Sequence, residues 1–357
     1  MKGLNKFFKN KRVLITGHTG FKGSWLSEIL CNMGSDVVGY SLNPPTTPNI
    51  YELVGLDSRL TSIIGDIRNY DMLSNIFDEY APDIVIHMAA QPIVRTSYEK
   101  PVYTYETNVM GTVNVCECIR NNDCVRSFLN VTTDKVYENK DDNHSFKEFD
   151  KLDGFDPYSN SKSCSELVTH SYNNSFFKEL GISCSTARAG NVIGGGDFAK
   201  DRIIPDCVRA SINKEDIIIR NPYSIRPYQH VLEPLFVYLT IVMKQYKDDA
   251  FAGYYNVGPD ERDCLTTGEI AGLYCDFFNK NSEDKICWVD NSDNGPHESA
   301  FLKLDNTKIK KVFNWKNVWD IHKAVEKTVE WTKCYISNKD MRECTDCQIN
   351  EYLKDMG

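Results

Sequence analysis

Short apolar runs rich in β-branched residues alternate with longer amphipathic stretches from residue 12 onward. The runs predict strands at residues 12–16, 36–40, 60–65, 83–87, 127–132 and 183–188. Between them, apolar positions spaced three and four apart predict helices near residues 24–32, 71–80, 103–121 and 159–180. Such alternation is typical of βαβ units, so the pattern predicts an α/β fold with a doubly wound parallel sheet.

A glycine-rich turn follows the first strand and opens the first helix. It reads Gly17-His-Thr-Gly-Phe-Lys-Gly23, with glycine at three positions spaced three apart. Glycine in such turns allows the tight bend, the approach of the backbone to a pyrophosphate, and close packing of helix on strand. The motif therefore predicts a Rossmann dinucleotide site, whose contacts in this turn are Gly17, Thr19, Gly20, Phe21, Lys22 and Gly23.

The residues about twenty positions further on indicate which dinucleotide is bound. NAD sites usually carry an acidic residue there and NADP sites an arginine, whereas this chain has only neutral polar groups, among them Ser41 and Asn43. We favour NAD, because no basic group is present to pair a 2′-phosphate. Asp66, after the third strand, is placed to contact the adenine, and a helix cap before Asn69 is the alternative interpretation.

A second constellation indicates acid–base chemistry. Tyr158 and Lys162 lie four apart and hence on one helix face, where the ammonium is expected to lower the pKa of Tyr158 for taking a proton as hydride leaves. The segment Thr132-Thr-Asp-Lys135 ends the fifth strand at the carboxyl edge, where doubly wound folds keep their sites. A solvated turn is the alternative interpretation of Asp134 and Lys135.

The regular alternation stops after residue 190, where glycine, proline and arginine become frequent. We expect a Rossmann domain with the Tyr–Lys pair at residues 1–190 and a smaller substrate-binding part at 191–357. Residues 238–244 and 267–279 have helical patterns and are expected to pack back onto the sheet.

Longer blocks make the chain resemble a known family over nearly its whole length. They are residues 17–25, 87–95, 107–112, 156–162, 187–197 and 219–234. In these blocks the chain closely resembles the CDP-glucose 4,6-dehydratases of the extended short-chain dehydrogenase/reductase superfamily. Members differ from this chain mainly in having Ser-Asp-Lys-Cys at 133–136, Ser-Lys-Gly-Cys at 161–164 and often an acidic residue in place of Asn43. No reacting group is lost, and the change at Asn43 bears on cofactor affinity rather than identity.

The resemblance implies a dehydration of CDP-glucose to CDP-4-keto-6-deoxyglucose that borrows and returns a hydride through NAD. Tyr158 takes the 4-hydroxyl proton as hydride leaves C4, the 4-ketone acidifies the C5 proton, and hydride returns to C6 after water departs. By resemblance, Asp134 is the acid at the 6-hydroxyl and Lys135 the C5 base. Lys135 then needs a pKa lowered by burial or by Lys162.

The same resemblance completes the set of expected site residues, with no metal ligand among them. The catalytic residues are Thr133, Asp134, Lys135, Tyr158 and Lys162. The cofactor contacts outside the glycine-rich turn are Asn43, Asp66, Ile67, Ala89, Ala90, Gln91, Asn108, Thr132, Tyr158 and Lys162. The nucleotide sugar is expected to contact Asn191, Arg202, Arg220, Arg226, His230 and Glu298, the last of which is alternatively a surface acid.

Two other functions stay open. A 4-epimerase, or a dehydratase for another nucleotide sugar, would use the same turn and Tyr–Lys pair, although epimerisation needs neither Asp134 nor Lys135. A catalytically silent NAD-binding scaffold would have no use for these side chains together.

The composition of this chain of 357 residues limits the kinds of partner that it is expected to bind. Its net charge of −9 argues against a nucleic-acid partner, since phosphate binding relies on clustered Lys and Arg. No apolar run reaches the roughly 20 residues that span a bilayer, and no signal-peptide pattern follows the basic N-terminus. We therefore expect a cytoplasmic protein. The family that the chain resembles usually assembles through paired long helices, and this resemblance implies a homodimer or homotetramer that pairs through residues 103–121 and 159–180. The cysteines of the chain should be reduced, and Cys344 and Cys347 have no partner at zinc spacing.

Overall fold

A seven-stranded parallel sheet forms the centre of the protein. The computed structural model describes residues 2–140, 144–200, 202–280, 285–291 and 302–357. The sheet strands β1 to β7 are Arg12–Thr16, Asp36–Ser41, Thr61–Ile64, Ile84–His87, Ser127–Thr133, Ser183–Ala189 and Tyr254–Val257. They lie in the order β7-β6-β5-β4-β1-β2-β3, and all neighbouring pairs are parallel. The order reverses between β1 and β4, so the crevice for a ligand lies at their carboxyl ends. The predicted doubly wound α/β fold is confirmed.

Helices cover both faces of this sheet. Helices α1 to α14 are Lys2–Phe8, Phe21–Asn32, Ile50–Leu53, Tyr70–Tyr80, Val94–Glu99, Pro101–Tyr105, Gly111–Arg120, Pro157–Tyr172, Ile203–Asn213, Leu232–Lys247, Thr267–Asn279, Thr307–Phe313, Ile321–Ile336 and Met341–Met356. Among the described residues, none of these helices is long and apolar enough to cross a membrane.

Alternate residues of the central strands enter opposite cores. Val13 and Ile15 pack in the larger apolar cluster, whereas Leu14 between them packs in the cluster on the other face. All residues of β4, β5 and β6 are buried. Residues 84–86 of β4 form a continuous apolar run, as expected for a strand buried on both faces, whereas β5 and β6 bury several polar side chains as well.

The chain after residue 190 returns to the sheet. Helix α10 lies on β5 and β6, and β7 then adds to the edge of the sheet beside β6. The sequence pattern missed β7 and began α10 at residue 238, because Pro234 was read as a break. Pro234 lies in the first turn of α10, where a missing N–H costs nothing.

Short paired strands complete the C-terminal part. They are Val192–Ile193 with Gln229–His230, Ile225–Pro227 with Cys264–Thr266, Ile217–Ile219 with Trp288–Asp290, and Ser145–Phe146 with Lys303–Leu304. The two long predicted helices each contain a π-helical turn, at Glu106–Met110 between α6 and α7 and at Asn173–Phe177 after α8.

Candidate active site

The glycine-rich turn is held against the start of the loop after β4. Gly17 has a φ of 82°, and a Cβ there would lie 2.8 Å from the backbone nitrogen of Ala89. A Cβ on Gly23 would lie 2.1 Å from the Gly17 carbonyl oxygen, so both positions require glycine. Gly20 is the N-cap of α2, and a Cβ there would meet nothing closer than 3.4 Å. This open side leaves the backbone of the helix N-terminus accessible, which fits the pyrophosphate of a dinucleotide.

The predicted adenosine contacts lie at the ends of β2 and β3. The Thr19 hydroxyl lies 2.9 Å from the Ser41 hydroxyl and donates to the Leu42 carbonyl oxygen, and Asn43 next to them is exposed. Asp66 accepts from the backbone and guanidinium of Arg68, which holds its pKa below the usual value. Asp66 is not a helix cap, because the side chain of Asn69 caps α4.

Several predicted cofactor contacts have side chains that are occupied within the protein. Asn108 is buried and bonds both the N–H and the C=O of Gln91, as well as the Ser161 hydroxyl. The Gln91 side chain in turn bonds Ile93 and Thr104. These amides shape the loop that contains Ala89 and Ala90. Both side chains are largely occupied within the protein, and their direct contact with the cofactor stays a prediction. Ile67 is an apolar core residue.

Thr132 also points away from the crevice. Its hydroxyl donates to Glu166 Oε1 at 2.5 Å, beneath the end of β5. Glu166 accepts from Arg188 at 2.9 Å, and both side chains are almost completely buried. The expected contact of Thr132 with the cofactor is therefore replaced by a supporting role. The sequence analysis missed Glu166 and Arg188, since nothing in their spacing distinguishes a buried ion pair from surface charges.

The turn after β5 brings the predicted acid–base groups together. The Thr133 hydroxyl and the Lys135 ammonium each donate to Asp134 Oδ1 at 3.0 Å. Thr133 lies close enough to Tyr158 to act on the pKa of its hydroxyl. Asp134 is completely buried, and within the described ranges its Oδ2 has no hydrogen bond. The interpretation of Asp134 and Lys135 as a solvated turn is wrong.

Helix α8 positions Tyr158 at its first turn. The helix begins at Pro157, where proline is favoured, and the Asp156 side chain caps it by accepting from the Ser159 N–H at 3.0 Å. One turn on, the Lys162 ammonium donates to the Val131 carbonyl oxygen at 3.2 Å, so it is anchored to β5. Tyr158 and Lys162 thereby share the helix face that lies against the end of β5.

The pKa values differ from two expectations. Burial raises the pKa of Tyr158, although the Lys135 charge and the nearby Thr133 act against it. Burial acts to lower the pKa of Lys135, but the charges of Asp134 and Tyr158 raise it overall. Burial and the charge of Lys22 lower the pKa of Lys162 to about 8. The expected lowering therefore occurs at Lys162 and not at Tyr158 or Lys135.

Five of the six predicted nucleotide-sugar contacts are partly or completely buried. Asn191 accepts from Lys135 at 3.4 Å, and Arg226 is buried close enough to act on the Lys135 charge. Arg202 pairs with Asp197 at 3.1 Å and keeps about a third of its side chain exposed. Arg220 is half-buried after its short strand.

His230 and Glu298 do not join this set. His230 has no exposed surface and lies between the rings of Trp25 and Trp319, at 6.0 and 4.9 Å. Burial lowers its pKa to about 3, and its Nδ1 accepts from the Leu232 N–H. A completely buried ring cannot contact a nucleotide, so that prediction is corrected. Glu298 lies outside the described residues.

The cysteines show no metal arrangement. In the part of the chain that the structure describes, no group of three or more His, Cys, Asp or Glu side chains could hold a metal ion. Cys344 lies on α14 beside Cys334 of α13, where burial and that neighbour raise its pKa to about 12. Cys347 is exposed on the same helix.

Comparison with known proteins gives full-length matches. The family model for GDP-mannose 4,6 dehydratase matches residues 14–328. CDP-glucose 4,6-dehydratase of Salmonella typhimurium is 44% identical over 353 residues, 97% of each chain. CDP-paratose 2-epimerase of Salmonella typhi is 26% identical and covers 90% of this chain and 99% of its own. The solved structure of dTDP-glucose 4,6-dehydratase from Bacillus anthracis in complex with NAD is 19% identical and superimposes with a TM-score of 0.74, covering 94% of this chain and 99% of that one.

Proposed function

Because the chain belongs to the CDP-glucose 4,6-dehydratase family, we propose that it converts CDP-glucose to CDP-4-keto-6-deoxyglucose and water with NAD as cofactor. The observation that carries the proposal is the contact of Asp134 with Lys135, next to Tyr158. Inversion at C4 needs only a group for the 4-hydroxyl proton and a hydride acceptor. Elimination across C5 and C6 needs a further base and acid, and this pair provides them.

The crevice fits the cofactor that the reaction needs. NAD, when bound, takes the C4 hydride and later returns it at C6. The open backbone at Gly20 would hold its pyrophosphate, while Thr19, Ser41 and Asn43 would bind the adenosine ribose. Lys162, which β5 anchors below Tyr158, would bind the ribose of the nicotinamide half.

Tyr158 takes the proton of the sugar 4-hydroxyl in this proposal. Only the phenolate form of Tyr158 can take this proton. Burial raises the pKa of Tyr158 and so disfavours the phenolate, whereas the nearby Lys135 ammonium favours it. Thr133, at the end of β5, also acts to lower the pKa of Tyr158. Lys135 therefore supports the first step electrostatically before it acts in the second.

Asp134 and Lys135 handle the protons at C5 and C6. Lys135 is protonated at rest, since Asp134 raises its pKa. Transfer of one proton from Lys135 Nζ to Asp134, over 3.0 Å, creates a neutral amine and a carboxylic acid together. The amine removes the C5 proton and the acid protonates the departing 6-hydroxyl, which restores the starting charges of the pair. When the hydride is returned to C6, the Lys135 ammonium gives a proton back to C5. The proton that Tyr158 took from the 4-hydroxyl then recharges Lys135, whose charge lies near Tyr158. This internal transfer resolves the need for a neutral Lys135 without a lowered pKa.

The part after residue 190 would bind the nucleotide. Asn191 and Arg226 lie next to Lys135, and Arg202 lies near enough to affect the charge of Tyr158. Arginine suits a diphosphate because its planar fork can donate two parallel hydrogen bonds. We therefore assign residues 191–357 mainly to the nucleotide sugar, with α10 and β7 as segments of that part that support the sheet.

The donor is tested by incubating the protein and NAD+ separately with CDP-, dTDP-, UDP- and GDP-glucose. We expect mass spectrometry to show loss of one water from CDP-glucose alone. Water loss from another donor instead would assign a different dehydratase, and inversion at C4 without water loss would assign an epimerase. Cofactor binding without any turnover would leave only the silent scaffold.

A homodimer is proposed through one helical face. Large apolar side chains stay exposed on neighbouring helical segments between residues 94 and 172: Tyr98, Val102, Met110 and Leu167 are each about half exposed or more. Large apolar side chains that stay exposed on adjoining helices are a feature of protein interfaces. The segments that carry it pack against one another, so a second copy could cover the whole face.

The interface is tested with the double substitution Val102→Asp and Leu167→Asp. We expect light scattering after gel filtration to show monomers, because two buried charges per subunit would remain unpaired. Val289→Asp is the matched control, since Val289 is also exposed but lies on a short strand of the C-terminal part. A double variant that stays dimeric would exclude this face.

We also propose that the enzyme acts in the cytoplasm and supplies a deoxysugar for a surface polysaccharide. Five of its thirteen cysteines are buried thiols, which serve as small apolar residues where the compartment is reducing. A 4-keto-6-deoxy sugar is chemically suited to further reduction or amination at C4.

A further inference from the structure

A buried ion pair lies beneath the end of β5. Glu166 of α8 and Arg188 of β6 are almost completely buried and pair at 2.9 Å. Each carboxylate oxygen accepts two hydrogen bonds, because Arg188 Nε and the hydroxyls of Thr132 and Thr186 also donate to it, at 3.0, 2.5 and 2.7 Å. A buried ion pair often adds no stability over apolar residues of similar volume, so stability alone does not account for this one.

The pair holds the chain on both sides of the catalytic turn, which we define as residues 133–136. Thr132, which bonds Glu166, is the residue before this turn. Tyr137 is the residue after it, and the Tyr137 hydroxyl accepts from Arg188 Nη1 at 2.7 Å. The proposed acid and base therefore lie on a short stretch of chain whose two ends are bonded to one buried ion pair.

Helix α8 carries both this anchor and the Tyr–Lys pair. Tyr158 lies in its first turn, Lys162 one turn later and Glu166 one turn beyond. Lys162 donates to the carbonyl oxygen of Val131, the residue before Thr132. A single helix therefore sets the position of Tyr158 and, through Glu166, the position of the catalytic turn.

The spacing between these groups matters because they act on neighbouring carbons of one sugar. In the proposed function Tyr158 acts at C4, whereas Asp134 and Lys135 act at C5 and C6. We propose that the Glu166–Arg188 pair is a positioning element that keeps the catalytic turn where elimination can follow directly on oxidation at C4. The inference rests on the proposed 4,6-dehydratase chemistry but not on the nucleotide of the donor.

Two isosteric substitutions detach the turn and leave the ion pair intact. Thr132→Val removes the hydroxyl that bonds Glu166, and Tyr137→Phe removes the hydroxyl that bonds Arg188. Neither changes a charge. Ser163 of α8 still donates to the last carbonyl oxygen of the turn at 2.7 Å, so the turn is loosened at one end and not lost.

Two rates measured on each variant separate positioning from folding. Mass spectrometry gives the kcat of water loss from CDP-glucose. CDP-6-deoxyglucose has no 6-hydroxyl to lose, so it reports oxidation at C4 alone. Its C4 hydride passes to NAD+ and its 4-hydroxyl proton to Tyr158, and the absorbance of NADH records a single turnover.

We expect both variants to lose elimination and keep oxidation. Water loss should fall roughly 10- to 100-fold, since a misplacement of about 1 Å can cost about 10²-fold. Oxidation at C4 should stay within about threefold of wild type, because the effect of the Lys135 charge on Tyr158 changes little over such a distance. Both rates are taken on one preparation, so a loss of folded protein cancels in their ratio.

Matched controls remove a buried hydroxyl elsewhere. Thr328→Val on α13 removes one that donates to a backbone carbonyl oxygen at 2.8 Å, and Tyr274→Phe on α11 removes one that accepts from Ser211 at 3.1 Å. The ratio of the two rates should equal the wild-type ratio in both. It should also stay close to wild type in Thr132→Ser, which keeps the hydroxyl.

Three outcomes decide the matter. An equal fall of both rates in Thr132→Val and Tyr137→Phe would overturn the inference and leave the ion pair as a support of the fold. Unchanged water loss in either variant would overturn it as well, because that end of the turn would need no anchor. A wild-type chain that oxidises CDP-6-deoxyglucose but removes water from no nucleotide-linked glucose would instead remove the proposed function.

Discussion

Replacing Tyr158 with Phe should lower the kcat of water loss from CDP-glucose by roughly 10²- to 10⁴-fold, the usual contribution of a positioned proton-transfer group. The ring at the start of α8 remains, so only the hydroxyl is lost. Calorimetry should show NAD+ still binding, because Lys162 keeps its anchor on Val131. Mass spectrometry of the sugar product gives the rate.

The pH dependence provides a second readout for the same residue. Burial places the pKa of Tyr158 above its usual value, so the phenolate fraction and the wild-type kcat should rise with pH through the alkaline range. The residual activity of Tyr158→Phe should lack this rise. Tyr172→Phe is the control on the same helix, since it removes a hydroxyl that bonds Glu117 at 2.6 Å, away from the crevice. Equal losses in both variants would mean that Tyr158 acts only by supporting the fold.

The sheet could be predicted largely from the sequence, because apolar runs such as those of β1 and β4 alternate with segments of helical periodicity. Six of the seven strands lie within a few residues of their predicted positions. The seventh, Tyr254–Val257, lies in the part of the chain where the regular alternation has stopped, and it pairs with the open edge of β6. Such an edge is a property of the folded sheet, which local periodicity does not contain.

The position of the site could also be predicted from the sequence, whereas the roles of individual side chains could not. Glycine spacing and the carboxyl end of β5 identify the crevice. Whether a buried polar side chain faces that crevice depends on its partner: Asn108 bonds Gln91, and Thr132 bonds Glu166. These partners lie 17 and 34 residues away along the chain, and their contacts arise only when the helices pack on the sheet.

Charge balance in the crevice is a further property of the folded chain. The sequence analysis required a lowered pKa at Lys135, since a lysine base must be neutral. In the structure the charge of Asp134 outweighs the effect of burial on the pKa of Lys135. Lys162 donates to a backbone carbonyl oxygen and, among the residues that the structure describes, to no carboxylate, and its pKa falls. The proton that Lys135 must lose therefore has an acceptor in contact, and the two residues form one functional unit.

Replacing Lys135 and Asp134 one at a time should strongly reduce water loss, and deuterium uptake at C5 should distinguish the roles of the two residues. Lys135→Met should abolish deuterium uptake from D2O at C5 of the sugar and reduce water loss by roughly 10²- to 10⁴-fold. Asp134→Asn should reduce water loss to a similar extent but keep deuterium uptake at C5. Without the Asp134 charge, burial and Arg226 lower the pKa of Lys135, so the amine is more often neutral and still removes the C5 proton.

Mass spectrometry of recovered sugar nucleotide measures both quantities in one reaction. Lys151→Met and Asp153→Asn are matched controls, since they make the same two changes in an exposed ion pair of 2.9 Å in the next loop. Loss of C5 exchange in Asp134→Asn would mean that Asp134 itself removes the C5 proton, and persistence of exchange in Lys135→Met would exclude Lys135 as the base. Because C5 is acidic only after C4 is oxidised, exchange in Asp134→Asn would also prove that the first half-reaction does not require the acid.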